Sequence, residues 1–254
     1  TFILVIKIIN RITYIFIFLS TLLSDTFTVK KNITSLLNTT DIITINDNII
    51  ISTNGGIYKY EIEDNQYTVL NQNLFTYNIL NMNVINDNLF LSSGANGMIQ
   101  VLNSNLGFVE KIDYPLFDNI LKVVASDDYA YAIVQNQNEY FIVQYQIDSN
   151  HTYYLNTFTN FNLNFNVIND IAIDNLFIYI ATDNGLLRAD YFENEDNLLF
   201  STSWHVIIEN VDVTSLSIEN NSFAVINNNG SLLNINTNQI YDFENSSEGI
   251  ISPI

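Results

Sequence analysis

The chain has 254 residues, 27 Asp and Glu against 8 Lys and Arg, a net charge of −19 and no cysteine. Hydrophobic residues make up 48%, with 15 Tyr and 17 Phe, which excludes a disordered acidic tail and supplies a sizeable core. The charge excludes a nucleic-acid partner, whose phosphates would be repelled, and the missing thiol excludes disulfides and thiolate metal sites.

Residues 1–24 read as a secretory signal peptide or an uncleaved signal anchor. Lys7 and Arg11 precede an apolar run from Ile12 to Leu23, and Ser24 follows. That run is shorter than the roughly 20 apolar residues of a membrane span. The segment implies export to the periplasm, outer surface or medium, with membrane contact only through these residues if they are retained.

A repeating unit then fills the chain. In its first copy an apolar run from Asp41 to Ile45 meets the pair Asp47-Asn48, and a second run, Ile49-Ile50-Ile51, leads to a glycine turn at Asn54-Gly55-Gly56. A third run spans Ile57 to Tyr60, and a fourth Gln66 to Leu70. Asn and Asp tolerate left-handed backbone and bond their own chain, so the Asx pairs predict hairpin turns. The second copy turns at Asp87-Asn88 and closes on Asn96-Gly97. The third turns at Asp127-Asp128, but Gln135-Asn136-Gln137-Asn138-Glu139 replaces the glycine turn. The fourth runs Asn169-Asp170-Ile171, Asp174-Asn175, Phe177-Ile178-Tyr179-Ile180, Asp183-Asn184-Gly185, Leu186 to Ala189, with a fourth strand expected between Leu198 and Trp204. The fifth turns at Asn220-Asn221 and ends in Asn228-Asn229-Gly230.

Turns recurring every 40 or so residues, with four strands per unit, predict the blades of a β-propeller. Runs apolar on both faces fit, because a blade is sandwiched between two neighbours, whereas a one-sided sheet alternates. The expectation is an all-β chain: 1–24 signal segment, then a propeller over 25–254 with blades of about 33–72, 73–112, 113–158, 159–206 and 207–254. These five blades read as part of a larger propeller, with residues 25–31 as a candidate closing strand.

The units Ser52-Thr53-Asn54-Gly55-Gly56-Ile57-Tyr58-Lys59-Tyr60-Glu61 and Ile180-Ala181-Thr182-Asp183-Asn184-Gly185-Leu186-Leu187-Arg188-Ala189-Asp190 resemble the repeat of two-component-regulator propellers. Similar repeats occur in surface propellers associated with type IX secretion. The resemblance spans about residues 33–240 and implies a sensor or interaction domain rather than an active site.

Chemistry has few parts to work with. The two histidines, His151 and His205, fall at positions that vary between repeats, and no nucleophile elbow or phosphate loop is present. Asp118-Asn119, Asp127-Asp128 and the stretch from Glu193 to Asn197 offer oxygen ligands without the spacing of a calcium loop. No cofactor or metal is expected, and the chain reads as a non-enzyme. Its function reads as an exported interaction module for a protein or a polar or carbohydrate ligand. The alternatives are the ligand-sensing domain of a larger two-component-type regulator and, behind it, a propeller lyase or hydrolase. Second-to-third strand turns share one face with the connections between blades, which makes Asn54, Gly55, Asn96, Asp183, Asn184, Asn228 and Asn229 the candidate binding residues.

Overall fold

A computed structural model describes residues 38–85, 88–94, 97–126, 128–148, 151–191, 198–218, 222–226 and 230–241. The signal segment, the candidate closing strand and the Glu193 to Asn197 stretch lie outside them, as do Asp87, Asp127, Asn220 and Asn221.

Five four-stranded antiparallel sheets stand in a ring, a five-bladed β-propeller. Blade 1 holds β1 (Thr39–Ile45), β2 (Asn48–Thr53), β3 (Gly56–Glu61) and β4 (Gln66–Val69). Blade 2 holds β5 (Ile79–Ile85), β6 (Asn88–Ser93), β7 (Ile99–Leu102) and β8 (Phe108–Ile112). Blade 3 holds β9 (Asn119–Ala125), β10 (Tyr129–Asn136), β11 (Glu139–Ile147) and β12 (Thr152–Phe158). Blade 4 holds β13 (Ile168–Ile173), β14 (Phe177–Thr182), β15 (Gly185–Asp190) and β16 (His205–Glu209), and blade 5 holds β17 (Val213–Ser217), β18 (Phe223–Ile226), β19 (Ser231–Asn234) and β20 (Gln239–Tyr241).

The β-branched runs form the middle strands, and each pair of successive blades shares one apolar layer. Ile50, Ile57, Leu89 and Leu102 fill the layer between blades 1 and 2. Phe90, Val123, Ala132 and Tyr145 lie between blades 2 and 3. Ile142, Ile178, Leu187 and Trp204 lie between blades 3 and 4, and Leu186, Val213, Ala224 and Leu233 between blades 4 and 5. Blades 2, 3 and 4 are thus covered front and back, as the two-sided apolar runs require.

Three details depart from the sequence expectation. In blade 2 Asn88, expected in the turn, opens β6 and pairs with Ile85. The first hairpin turns at Asn46-Asp47 rather than Asp47-Asn48, and Asn48 already pairs with Ile45. Asn46 and Asp47 have φ of 47° and 59°, and a two-residue turn positive at both positions matches the right-handed twist of the strands it joins. The outer strand of blade 4 is β16, not the stretch from Leu198 to Trp204, and it runs past the expected blade boundary at 206. Trp204 is fully buried and donates Nε1–H to the Leu198 carbonyl at 3.0 Å, so this stretch winds through short 3-10 turns, one of them Ser201–Ser203, under its indole. The fourth-copy turn is as expected: Asp174 Oδ1 accepts from the N–H groups of Leu176 and Phe177.

The inner strands are irregular at one equivalent place in all five blades. Each carries a bulge that leaves Thr40, Leu80, Leu121, Asn169 or Thr214 out of register. The residues that follow are Asp41, Asn81, Lys122, Asp170 and Ser215, and four of them reach the next blade. Asp41 Oδ2 accepts from the Met82 N–H and the Asn81 amide, both at 2.8 Å. Asn81 Oδ1 accepts from the Val123 N–H at 3.0 Å. Lys122 donates to Asp170 Oδ1, and Asp170 Oδ2 accepts from the Leu216 N–H at 2.8 Å. The bulged residues add to this: Thr40 Oγ1 donates to the Ile79 carbonyl and Asn169 Nδ2 to the Val213 carbonyl. A bulge re-aims a side chain and bends the strand. Here it aims one polar group across each of the four described junctions, at three of them to a backbone N–H and at the blade 3–4 junction from Lys122 to the Asp170 carboxylate.

Leu186 is fully buried in the layer between blades 4 and 5. Leu186→Ala is expected to cost about 2–5 kcal/mol in urea unfolding, the range for a core leucine; a loss under about 1 kcal/mol, typical of a surface change, would remove it from the core.

Candidate functional site

Antiparallel order puts the β2–β3, β6–β7, β10–β11, β14–β15 and β18–β19 turns on the same face as the connections between blades. Of the expected binding residues, Asn96, Asn228 and Asn229 lie outside the described residues. The other four stand on this face in two turns.

Those turns hold the connections in place. Asp183 Oδ1 accepts from the N–H groups of Asn166 and Val167 at 2.9 and 3.3 Å, and Oδ2 accepts from the Asn166 side-chain amide at 3.1 Å. Asn184 Nδ2 donates to the Asn164 carbonyl at 2.8 Å, and the Asn184 carbonyl accepts from the Asn210 N–H. The blade 4 turn therefore grips the connection before it and the one after it. Gly185 has φ of 153°, and a Cβ there would strike the Ile208 carbonyl oxygen, so the position requires glycine. In blade 1 the Gly55 carbonyl accepts from Asn71 Nδ2 at 2.8 Å, while Asn71 Oδ1 accepts from the Ile57 N–H at 3.0 Å. Asn54 is exposed and its side chain makes no hydrogen bond to the described residues.

Blade 3, the copy without a glycine turn, differs in shape. β10 and β11 are 8 and 9 residues long, against 6 and 6 for β14 and β15. Val134 pairs with Phe141 where Thr182 pairs with Gly185, and the ladder continues through Gln135–Tyr140 to Asn136–Glu139. The hairpin thus projects beyond its neighbours on this face. Asp118 Oδ2 caps its tip by accepting from the Gln137 N–H, so this carboxylate serves the turn.

Beside the projecting hairpin runs the connection 159–167. Its sequence alternates Asn160, Asn162, Asn164 and Asn166 with Phe161, Leu163 and Phe165, and burial follows: the amides are exposed and the apolar residues half-buried. Alternation of this kind reads as a strand, yet no ladder forms. Phe161 instead stacks edge-on against Trp204 with centroids 5.0 Å apart, and against Phe165 at 5.3 Å. Hairpin and connection enclose a groove of about 670 Å3, with Tyr140, Phe141, Phe161 and Phe165 in its lining and Asn138, Glu139, Asn160 and Asn164 at its rim. The side chains of Asn138, Asn160, Asn164 and Tyr140 make no hydrogen bonds to the described residues. Half-exposed aromatics with uncommitted amides around them make a surface for a ligand that is flat and apolar in places and polar at its edges. In the sequence the groove is marked by two signals, the missing glycine turn of the third copy and the alternation of Asn with Phe and Leu over 160–166, and none of the expected binding residues lies in it.

The histidines take no part. His151 is exposed with its ring 6.1 Å from Tyr153, and exposed His205 opens β16. Among the described residues no group of three or more His, Asp and Glu could hold a metal ion, and no helix is long and apolar enough to cross a membrane.

No protein-family model and no curated protein matches the chain. Solved structures do. The extracellular domain of the hybrid two component system BT3049 from B. thetaiotaomicron aligns with a TM-score of 0.61 and 15% identity, over 89% of this chain and 31% of that one. The corresponding domain of BT4673 from the same organism aligns at 0.60 with 16% identity, over 84% and 29%. PorZ, a bacterial surface component of the type-IX secretion system of Porphyromonas gingivalis, aligns at 0.57 with 14% identity, over 81% and 34%. This likeness shows a shared propeller fold. The chain spans about a third of the length of each.

The Asp183 carboxyl supplies a pH handle on this face. Burial alone would raise it, but the hydrogen bonds from Asn166 and Val167 outweigh burial and hold it below its ordinary value. A lowered carboxyl stabilises the fold above the unfolded-state value, and that contribution disappears as pH falls through the lower, folded value. Asp183→Asn turns an amide donor toward the Asn166 donors, so the variant should melt below the parent at neutral pH. The gap should narrow as pH falls below about 4, the ordinary carboxyl range. A gap that stays constant down to the acid limit would show that the charge of Asp183 contributes nothing.

Proposed function

We propose that the chain is a non-enzymatic, exported interaction module that binds its ligand in the groove beside the blade 3 hairpin. The observation that carries this reading is the break in the repeat. Where the glycine turns of blades 1 and 4 are engaged in holding connections, blade 3 projects a longer hairpin beside half-exposed aromatic rings and amides whose side chains bond none of the described residues. The ligand that fits is polar, largely uncharged and flat-faced, as a carbohydrate is, or a protein segment of the same character. Strong negative charge over the chain disfavours anionic partners and favours neutral or cationic ones. Sparse histidine and lysine, and carboxylates engaged in turns and latches, support a binding role over proton-transfer chemistry.

A second reading, the ligand-sensing domain of a larger two-component-type regulator, is favoured by the similar structures, two of which are extracellular domains of hybrid two component systems. Both readings use the same groove. Export rests on the signal-like residues 1–24 and on the extracellular or surface setting of those structures.

Isothermal titration of the full chain against a panel of neutral oligosaccharides tests the site. Tyr140→Ala, on the projecting hairpin, should weaken any binding by about 1–3 kcal/mol, the scale of burying one aromatic side chain, without changing the melting temperature by more than a few degrees. Binding that survives both Tyr140→Ala and Phe165→Ala unchanged would place the ligand elsewhere.

A further inference from the structure

Four Asn-Gly pairs occur in the chain, at Asn54, Asn96, Asn184 and Asn229, and the two described ones, at Asn54 and Asn184, lie in second-to-third strand turns. Asn-Gly is the pair at which asparagine most readily modifies itself, because glycine puts no Cβ beside the attacking backbone nitrogen. Folding decides which pairs can do so, since the side-chain carbonyl must swing onto the following nitrogen. The two described pairs differ in this respect.

Asn184 is held at its side chain and at the peptide groups on both sides of it. Its side-chain amide donates to Asn164, its carbonyl accepts from Asn210, and its own N–H donates to Thr182 Oγ1 at 3.2 Å. Gly185, which would supply the nitrogen, opens β15 in register with Thr182 and lies against the Ile208 carbonyl. Asn54 is exposed, occupies the first central position of its two-residue turn, and has a side chain held by nothing among the described residues. The Gly55 nitrogen lies in the turn itself, outside the strand ladder; its one bond is to the Thr53 hydroxyl at 3.0 Å.

We infer that Asn54 is a site of slow, non-enzymatic deamidation in the folded protein and that Asn184 is protected. The Gly55 nitrogen attacks Asn54 Cγ, a C–N bond forms, the Cγ–Nδ2 bond breaks, and ammonia leaves carrying the proton lost from the Gly55 amide through solvent. Water then opens the five-membered imide at either carbonyl. One opening gives aspartate at position 54; the other gives isoaspartate, with the chain rerouted through the side-chain carbon. Either product adds a negative charge to the face that carries the groove. Isoaspartate also lengthens the backbone inside a tight turn, where the Gly55 carbonyl must meet Asn71 Nδ2 and Ile57 must meet Asn71 Oδ1.

The test is peptide mass spectrometry on the full chain aged at mildly alkaline pH, folded and in urea, with fragmentation to locate each gain of one dalton. In urea Asn54 and Asn184 should modify at similar rates, since both precede glycine. In the folded chain the gain should accumulate at Asn54 and fall far behind at Asn184, and an isoaspartyl methyltransferase should label the Asn54 peptide. Asn54→Gln should abolish the gain at position 54, and Gly55→Ala should slow it. Equal rates at both sites in the folded chain, or an Asn54 as protected as Asn184, would overturn the inference.

Discussion

The junction between blades depends on one polar contact repeated around the ring. An apolar layer between two sheets has no direction; it would let blades slide or change their number. The bulge on each inner strand removes one residue from the ladder and sends the next side chain, Asp41, Asn81, Lys122 or Asp170, across to a fixed partner on the following blade. Three of these contacts end on a backbone N–H, at Met82, Val123 and Leu216, so register is set against main chain rather than against a mobile side chain. Each gives a part-buried backbone N–H an acceptor on the neighbouring blade, and a buried donor left without one costs roughly 1–3 kcal/mol.

With the ring fixed from inside, the opposite edges of the sheets carry other duties. Blade 4 shows a turn wholly given to support: Asp183, Asn184 and Gly185 hold two connections, and their chemistry is used up in doing so. Blade 3 shows the reverse. Its hairpin is longer, its glycine is replaced by Phe141 in register, and the connection beside it carries rings that no ladder has absorbed. Function on a repeat scaffold is best sought where one repeat stops obeying the pattern, because elsewhere the turn residues are already engaged.

Much of this was legible in the sequence for physical reasons. Apolar runs of strand length, Asx pairs and glycine turns at a steady spacing are local signals, and they place four strands in each blade. The Asp of Asn169-Asp170-Ile171 was visible as part of a motif, but its role was not, because its partners Lys122 and Leu216 are far away in sequence and the bulge that aims it leaves no local mark. The stretch from Leu198 to Trp204 misled because an apolar run with one aromatic end reads as a strand, whereas burial of a single indole pulled it out of the sheet. Residues 159–167 show the same limit: alternation indicates which side chains are buried and not whether a neighbouring strand is there to pair. The described glycine-turn residues share the face of the connections between blades, as antiparallel order requires, but their hydrogen bonds could not be read from a sequence in which Asn is so common.

The bulge-borne contacts hold adjacent blades together as one cooperative unit. Native-state hydrogen exchange at the Met82, Val123 and Leu216 amides tests it most directly, read in the parent and in Asp170→Ala. All three should exchange only with global unfolding in the parent, and Asp170→Ala should release Leu216 while Met82 and Val123 stay slow. Exchange of all three in the parent as fast as the turn amide of Leu176 would contradict it.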